Sequence, residues 1–395
     1  MAPYEDELDS LVHELNRQAA APVSTADNPS SSSAASGRLE QPRLAEILRQ
    51  AVANGASDIL LVPGAGIAER IQGSIRMSGG DPLTDTDVRG MVMPLLNPAD
   101  LKRLRDTLSA DFAFQSRTGR RFRINVHHQR QTLAAAIRLL PRDVPRLADL
   151  DLPPALQQIA TLRRGLVLVA GPTGAGKSST LAALVEEMNR SRACHIVTVE
   201  DPVEFVHTNR MALVEQIEVG IDTPGFNDCL RSILRQSPDV ILVGEMRDPE
   251  TVMLALTAAE TGHLVLSTLH THDSAQAISR MVDTAPAASQ PQIRQQLSLS
   301  LAAIVSQQLV PGARGERRYA ACEILLGSDG VRNLIRSGQD HQLKSQILLS
   351  RSSGMITMDY ALAELASNGK ITPEVALSHG YSREELRSLL GGGRR

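Results

Sequence analysis

The residues best suited to chemistry stand together in one short stretch, Gly171-Pro172-Thr173-Gly174-Ala175-Gly176-Lys177-Ser178. Glycines let successive backbone N–H groups turn inward around phosphate oxygens. A lysine reaches the outer phosphates, and a serine hydroxyl joins the shell of a magnesium ion. An apolar run, Leu166-Val167-Leu168-Val169-Ala170, precedes the stretch, and a helix-like run beginning at Ser179 and reaching residue 188 follows it. Strand, glycine-rich loop and helix in that order form the setting of a nucleotide-binding P-loop, because the helix adds its positive N-terminal end to the amides of the loop. Alone, the stretch says that phosphate is bound and nothing about what happens to it.

Transfer of a phosphoryl group to water further needs a metal ion, an oriented water and positive charge for the transition state. Three later apolar runs, residues 195–199, 240–243 and 264–268, read as buried strands, and each ends in polar residues. The first delivers Glu200, Asp201 and Glu204, one of which could polarise the attacking water; the alternative is a set of helix or turn caps. The second delivers Gly244 and Glu245, an acid placed to hold a magnesium shell through water, where Asp is the more frequent residue. The third delivers His270, which beside a phosphate reads as a hydrogen-bonding sensor. His263, His270 and His272 resemble a metal set, but no Cys or carboxylate spacing supports zinc. Arg231 and Arg235, four apart on an expected helix, share a face and could pair with carboxylates or reach a γ-phosphate; a plain surface pair is the alternative.

Helix-like stretches at residues 227–236, 249–259 and 276–282 alternate with these strands. That alternation predicts an α/β fold with a doubly wound parallel sheet, whose ligands sit at the carboxyl ends of the strands.

Upstream, residues 44–52 predict a helix stopped by Asn54-Gly55, and residues 85–96 a second one. Strand-like runs cover residues 57–62, 67–75, 111–115, 121–127 and 133–140, so this part reads as a small α+β domain on a mainly antiparallel sheet. Strict alternation places Arg121, Arg123 and Asn125 on one face and Phe122, Ile124 and Val126 on the other, which makes one face basic. Pro141, Pro145, Pro153 and Pro154 mark a hinge before the P-loop domain. At the start of the chain, Leu8, Leu11, Val12 and Leu15 recur at helical spacing among acidic residues, followed by a Ser-rich linker through Gly37. This extension is either a tethered docking peptide or a loose terminus.

The 395 residues suffice for two or three domains, and 42% hydrophobic content supports a folded chain. Aromatics make up 2% with no Trp, and the net charge is −3, so neither stacking platforms nor a basic footprint for nucleic acid is expected. Three scattered cysteines, an acidic rather than basic start, and apolar runs too short for a membrane span predict a cytoplasmic protein.

These motifs together resemble the type II/type IV secretion ATPase superfamily, and most closely the type IV pilus retraction ATPases of the PilT family. The resemblance covers residues 40 to 385. It rests on the P-loop at residues 171–178, the acidic segment Val199-Glu200-Asp201-Pro202-Val203-Glu204-Phe205-Val206-His207, residues 238–248 around Glu245, the histidine box from Gly262-His263 to His272, and the C-terminal stretches at residues 331–336 and 354–362. It implies a PAS-like domain at residues 38–145 after an extension at 1–37, and a RecA-like ATPase domain with C-terminal helices at 146–395. It implies Glu204 as catalytic base, Glu245 as the acid of the second motif, and His270 as the histidine-box residue. Arg123 and Arg138 become arginine fingers, and Arg231, Arg235 and Arg280 further charged links. Gly171, Pro172, Thr173, Gly174, Ala175, Gly176, Lys177, Ser178 and Ser179 would hold ATP, and Ser178 with Glu245 would hold Mg2+. The implied assembly is a homo-hexamer working with an inner-membrane pilus platform protein at the inner face of the cytoplasmic membrane. Rival readings are a pilus-assembly or type II secretion ATPase, a nucleic-acid translocase, and a nucleotide-binding regulatory subunit. Many assembly enzymes carry a four-cysteine zinc element, which three cysteines cannot supply.

Overall fold

A computed structural model of the chain describes residues 40–391 apart from Gln72, Arg247 and Glu316. The extension expected at residues 1–37 lies outside the described residues. The chain divides into two compact units between Leu140 and Pro141, at the first proline of the hinge cluster.

The first unit runs α1 (Pro42–Ala53), β1 (Asp58–Leu61), β2 (Ala68–Ile71), β3 (Ser74–Met77), α2 (Asp85–Val92), α3 (Pro98–Thr107), β4 (Ser109–Gln115), β5 (Arg121–Gln129) and β6 (Thr132–Leu139). Its six strands pair antiparallel throughout in the order β3-β2-β1-β6-β5-β4. The alternation read in residues 121–126 sets the layering. Phe122, Ile124 and Val126 are buried with Leu44 and Leu48 of α1, Val88 and Met91 of α2, and Leu101 and Leu104 of α3. The other face carries the arginines. Thr84 with Asp87, and Asn97 with Asp100, form capping boxes that start α2 and α3.

Two expectations change here. The run at residues 67–75 is a hairpin rather than one strand, since the chain turns at Gly73 and Ile71 pairs with Ser74. The helix expected over residues 85–96 stops at Val92, followed by a 3-10 turn, Met93–Leu95, because Pro94 has no N–H to continue the ladder. The helix α3 has no counterpart in the sequence reading.

The second unit runs α4 (Ala155–Ala160), β7 (Gly165–Ala170), α5 (Lys177–Ser191), β8 (His195–Glu200), β9 (Leu213–Glu218), α6 (Phe226–Ile233), β10 (Val240–Val243), α7 (Pro249–Glu260), β11 (Leu264–Leu269), α8 (Ser274–Asp283), α9 (Gln290–Ser300), β12 (Leu301–Pro311), β13 (Arg318–Leu326), α10 (Asp329–Arg336), α11 (Leu343–Leu349), α12 (Met358–Ser367), α13 (Pro373–His379) and α14 (Arg383–Gly391). The sheet order is β13-β12-β7-β11-β10-β8-β9. The six strands from β12 to β9 are parallel and β13 runs antiparallel at the edge. Every residue of β7, β10 and β11 is buried, as expected for a sheet covered on both faces. Val167 and Val169 pack with Leu181, Leu184 and Met188 of α5 on one side. Leu166 and Leu168 belong to the opposite core with Leu230 of α6, Val252 of α7 and Ile278 of α8. The doubly wound parallel sheet expected from the alternation of runs is therefore present, with β9, β12 and β13 added to it. No helix among the described residues is long and apolar enough to cross a membrane.

Candidate active site

Because β7, β8, β10 and β11 are parallel, their carboxyl ends lie along one edge of the sheet, and each delivers part of the site. After β7, the P-loop turns back on itself and opens α5 at Lys177. Gly171 has φ +150°, and a Cβ there would stand 2.3 Å from the carbonyl oxygen of Gln307. The position thus tolerates only glycine, both for its backbone angle and for the close approach of β12.

Gln307 on β12 is a part of the site that the sequence reading lacks. Its side chain is buried, accepts from Thr180 Oγ1 at 2.8 Å and donates through Nε2 to the carbonyl of Ala175 at 2.7 Å. It thereby clamps the P-loop to the first turn of α5. The only sequence-level signal is a polar pair, Gln307-Gln308, interrupting an apolar run.

Lys177 is buried, and its Nζ donates to the carbonyls of Gly171 at 2.8 Å and Pro172 at 3.0 Å. Burial pushes its pKa below the ordinary lysine value, while the charges of Glu245 and Glu204 pull against that shift. Both acids thus lie within electrostatic reach of the P-loop lysine, which groups the three expected site residues at one edge. Glu245 follows β10 and stands 3.8 Å from His270 Nε2, which follows β11. Thr268 Oγ1 donates to the carbonyl of Gly244 at 2.6 Å, tying the ends of β10 and β11 together.

The loop carrying Glu204 is held from several sides. Glu200 accepts from Thr198 Oγ1 at 2.7 Å and from Gln216 Nε2 at 3.4 Å, and also from the Glu204 amide. Burial raises the Glu200 carboxyl above the usual range, with the Glu204 charge adding to the rise. Gln216 also donates to the carbonyl of Phe205, and Val203 N donates to Glu218 at the end of β9. Glu200 therefore acts as a brace for the Glu204 loop. The cap-like behaviour considered for this acidic group holds for Glu200, whereas the Glu204 charge is felt at Lys177.

A cavity of about 50 Å³ lies under the start of α5, lined by Ser178, Thr198, Glu200, His207, Gly244 and Thr268 among others. On this edge Ser178 offers a hydroxyl and Glu245 a carboxylate. Oxygen donors of this kind, few enough to leave coordination to water, suit Mg2+, which keeps much of its hydration. Among the described residues no group of three or more His, Cys, Asp or Glu could hold a metal by itself. His263 hydrogen-bonds the carbonyl of Ala258 at 2.9 Å, capping α7.

The arginines fall into different places. Arg231 pairs with Glu250 on the surface. Arg235 lies in the turn beyond α6, which ends at Ile233, so the expected shared helical face does not form. Arg280 is an exposed residue of α8. Arg123 and Arg138 belong to the first unit, where they are direct cross-strand partners on β5 and β6. Arg138 Nε donates to Asp58 at 2.8 Å, and Arg123 lies 3.5 Å from Asp111.

Comparison with known proteins gives the family. The family of type II/IV secretion system proteins matches residues 36–343. A type IV pilus retraction ATPase, PilT, of Pseudomonas aeruginosa is 42% identical over 333 residues, spanning 84% of this chain and 96% of that protein. A twitching motility protein of Neisseria gonorrhoeae is 43% identical over 317 residues, 80% of this chain and 85% of its own. The crystal structure of the pilus retraction motor PilT with bound ADP superimposes with a TM-score of 0.80 at 41% identity, covering 89% of this chain and 99% of that one. With a RecA-like sheet, a P-loop at its edge and likeness over nearly its whole described length, the chain belongs to the type II/IV secretion ATPase family, in its PilT group.

Proposed function

We propose that this protein is a hexameric, Mg2+-dependent ATPase that drives type IV pilus retraction, and hence twitching motility, from the inner face of the cytoplasmic membrane. The observation that carries the reading is the placing of the P-loop lysine Lys177 and the Glu245–His270 pair at the carboxyl ends of neighbouring strands of a PilT-like sheet, with the Glu204 charge felt at Lys177. Residues 171–179 cradle the ATP phosphates through backbone amides, and Lys177 exchanges its loop carbonyls for phosphate oxygens. Ser178 and Glu245 would hold the magnesium ion, which when bound neutralises charge on the phosphates. Glu204, braced by Glu200, takes the proton of the attacking water, so that the γ-phosphoryl group leaves as phosphate and ADP remains. His270 beside Glu245 reports whether the γ-phosphate is present. Arg123 and Arg138 supply positive charge to a site completed by another domain or subunit, and Arg231, Arg235 and Arg280 act as links between moving parts. Hydrolysis then becomes motion of one unit against the other, delivered to an inner-membrane pilus platform protein. The domain limits accompanying this reading are an extension at residues 1–37, a PAS-like domain at 38–145 and the ATPase domain at 146–395.

Deleting the gene and counting surface pili tests the direction of work. More pili that do not retract support retraction, and bare cells would identify an assembly motor instead.

A further inference from the structure

The helices α12, α13 and α14 pack on β12 and β13 through a small core of their own, in which Leu362, Ala376 and Leu386 meet Val310 and Ala321. One turn of this layer, between α13 and α14, touches two neighbours of the nucleotide site. His379 closes α13, and its carbonyl accepts from Gln308 Nε2 at 3.1 Å, beside Gln307, the clamp of the P-loop. Two residues on, Tyr381 donates its hydroxyl to the carbonyl of His272 at 2.5 Å, across 109 residues of sequence.

The turn is held firmly. Asp359 of α12 is fully buried, and its Oδ1 accepts from Tyr381 N at 2.7 Å and Ser382 N at 3.2 Å, while Oδ2 accepts from Lys344 Nζ at 3.1 Å. A Cβ at Gly380 would stand 1.9 Å from Leu386 Cδ1 and 2.9 Å from Asp359 Oδ1, so a side chain there has no room. Burial, with the charges of Glu323, Asp273 and Asp359, raises the Tyr381 phenol above its ordinary pKa, which keeps the hydroxyl a donor.

The receiving loop joins β11 to α8. At its start His270 Nε2 lies 3.8 Å from Glu245. At its end Ser274 is bonded to Glu323 on β13, and Asp273 caps α8 by accepting from Gln276 N at 2.7 Å. Between these ends His272 N donates to Gln276 Oε1 at 3.3 Å, and the His272 carbonyl takes the Tyr381 hydroxyl. That second bond comes from outside the loop and its helix, two residues from His270.

We propose that Tyr381 is a positioning residue for His270: its hydroxyl, aimed by Asp359 and Gly380, fixes the middle of the histidine-box loop and thereby the placing of His270 beside Glu245. The consequence for turnover rests on the role proposed above for His270.

Tyr381→Phe in the full chain, which removes the hydroxyl and keeps the ring, tests this with two readouts. Hydrogen exchange of the nucleotide-free protein, followed by mass spectrometry, reads the grip. Amides of residues 270–274 should exchange about fivefold faster, as the loss of one hydrogen bond implies. Steady-state phosphate release reads the consequence. A kcat lower by about fivefold is expected, with KM for ATP and the melting temperature unchanged, whereas a merely structural role would move the melting temperature and KM as well. In a His270→Ala background Tyr381→Phe should cost nothing further, because the two act as one unit. Unchanged exchange, a kcat within about twofold of the unaltered protein, or losses that add in the double variant overturn the proposal. If the unaltered chain hydrolyses no ATP, the proposed function fails, and exchange still decides whether Tyr381 holds the loop.

Discussion

In β5 every second side chain from Arg121 to Asn125 stays accessible, and two of the three are arginines, whereas β7, β10 and β11 expose nothing. A parallel sheet covered on both faces can present chemistry only where its strands end, and Gly171, Glu200, Glu245 and His270 all follow or close a strand. Within its own unit, an antiparallel sheet covered by helices on one side can present chemistry along its strands, as Arg123 and Arg138 would in the role proposed for them. Side chains at packed strand ends are bound up with the core through residues such as Gln307. Side chains on an open face are not. Activity and stability should therefore be coupled at the first kind of position and separable at the second.

The largest effect is expected from Lys177→Ala, which removes the P-loop cation. Phosphate release should fall by about 10²–10³ or more, and the melting temperature should fall with it, since the carbonyls of Gly171 and Pro172 lose their donor. Gly171→Ala should lower both together. Its Cβ would overlap the Gln307 carbonyl at 2.3 Å, so a loss of about 3 kcal/mol in a denaturant titration is expected. Next come Arg123→Ala and Arg138→Ala, which should lower kcat while shifting stability by no more than about 1 kcal/mol, because their ion pairs are surface ones. A stability loss as large as that of Gly171→Ala would break the distinction between the two sheets.

The smallest effect concerns Glu323 on β13, whose buried carboxylate accepts from Ser274 N at 2.9 Å and Ser274 Oγ at 2.7 Å, just beyond the histidine box. Burial raises its pKa from the ordinary 4.5, despite those donors. The folded chain therefore keeps a proton that the unfolded chain has lost, so stability is full below about pH 4.5 and falls as pH rises through the raised native value. Glu323→Gln should flatten that fall in urea midpoints taken across the window. An unchanged slope would mean that the buried carboxylate is stabilised as the anion.

Much of this was legible from residue types alone. The strand before the P-loop and β10 are short and wholly apolar, β8 and β11 are mostly so, and polar residues follow each, which is the pattern that double burial forces on a parallel strand. The basic face of β5 was legible because period-two alternation leaves no other placement. What escaped has a physical reason in each case. The edge strand β9 alternates weakly around Glu215 and Gln216, and β12 mixes Ser306, Gln307 and Gln308 into an apolar run. Gln307 acts through contacts 127 and 132 residues away, which no local pattern encodes. Arg235 kept helical spacing from Arg231, but the helix ends two residues before it. The pairing of Arg231 with Glu250 likewise depends on how α6 and α7 lie together.

The central claim is that Glu204 takes the proton of the attacking water at a site that binds ATP through separate groups. Purified Glu204→Gln should be measured for ATP affinity and for steady-state phosphate release. Affinity close to that of the unaltered protein with hydrolysis lower by about 10²–10⁴ is the expected result. Near-normal hydrolysis by Glu204→Gln would contradict the assignment.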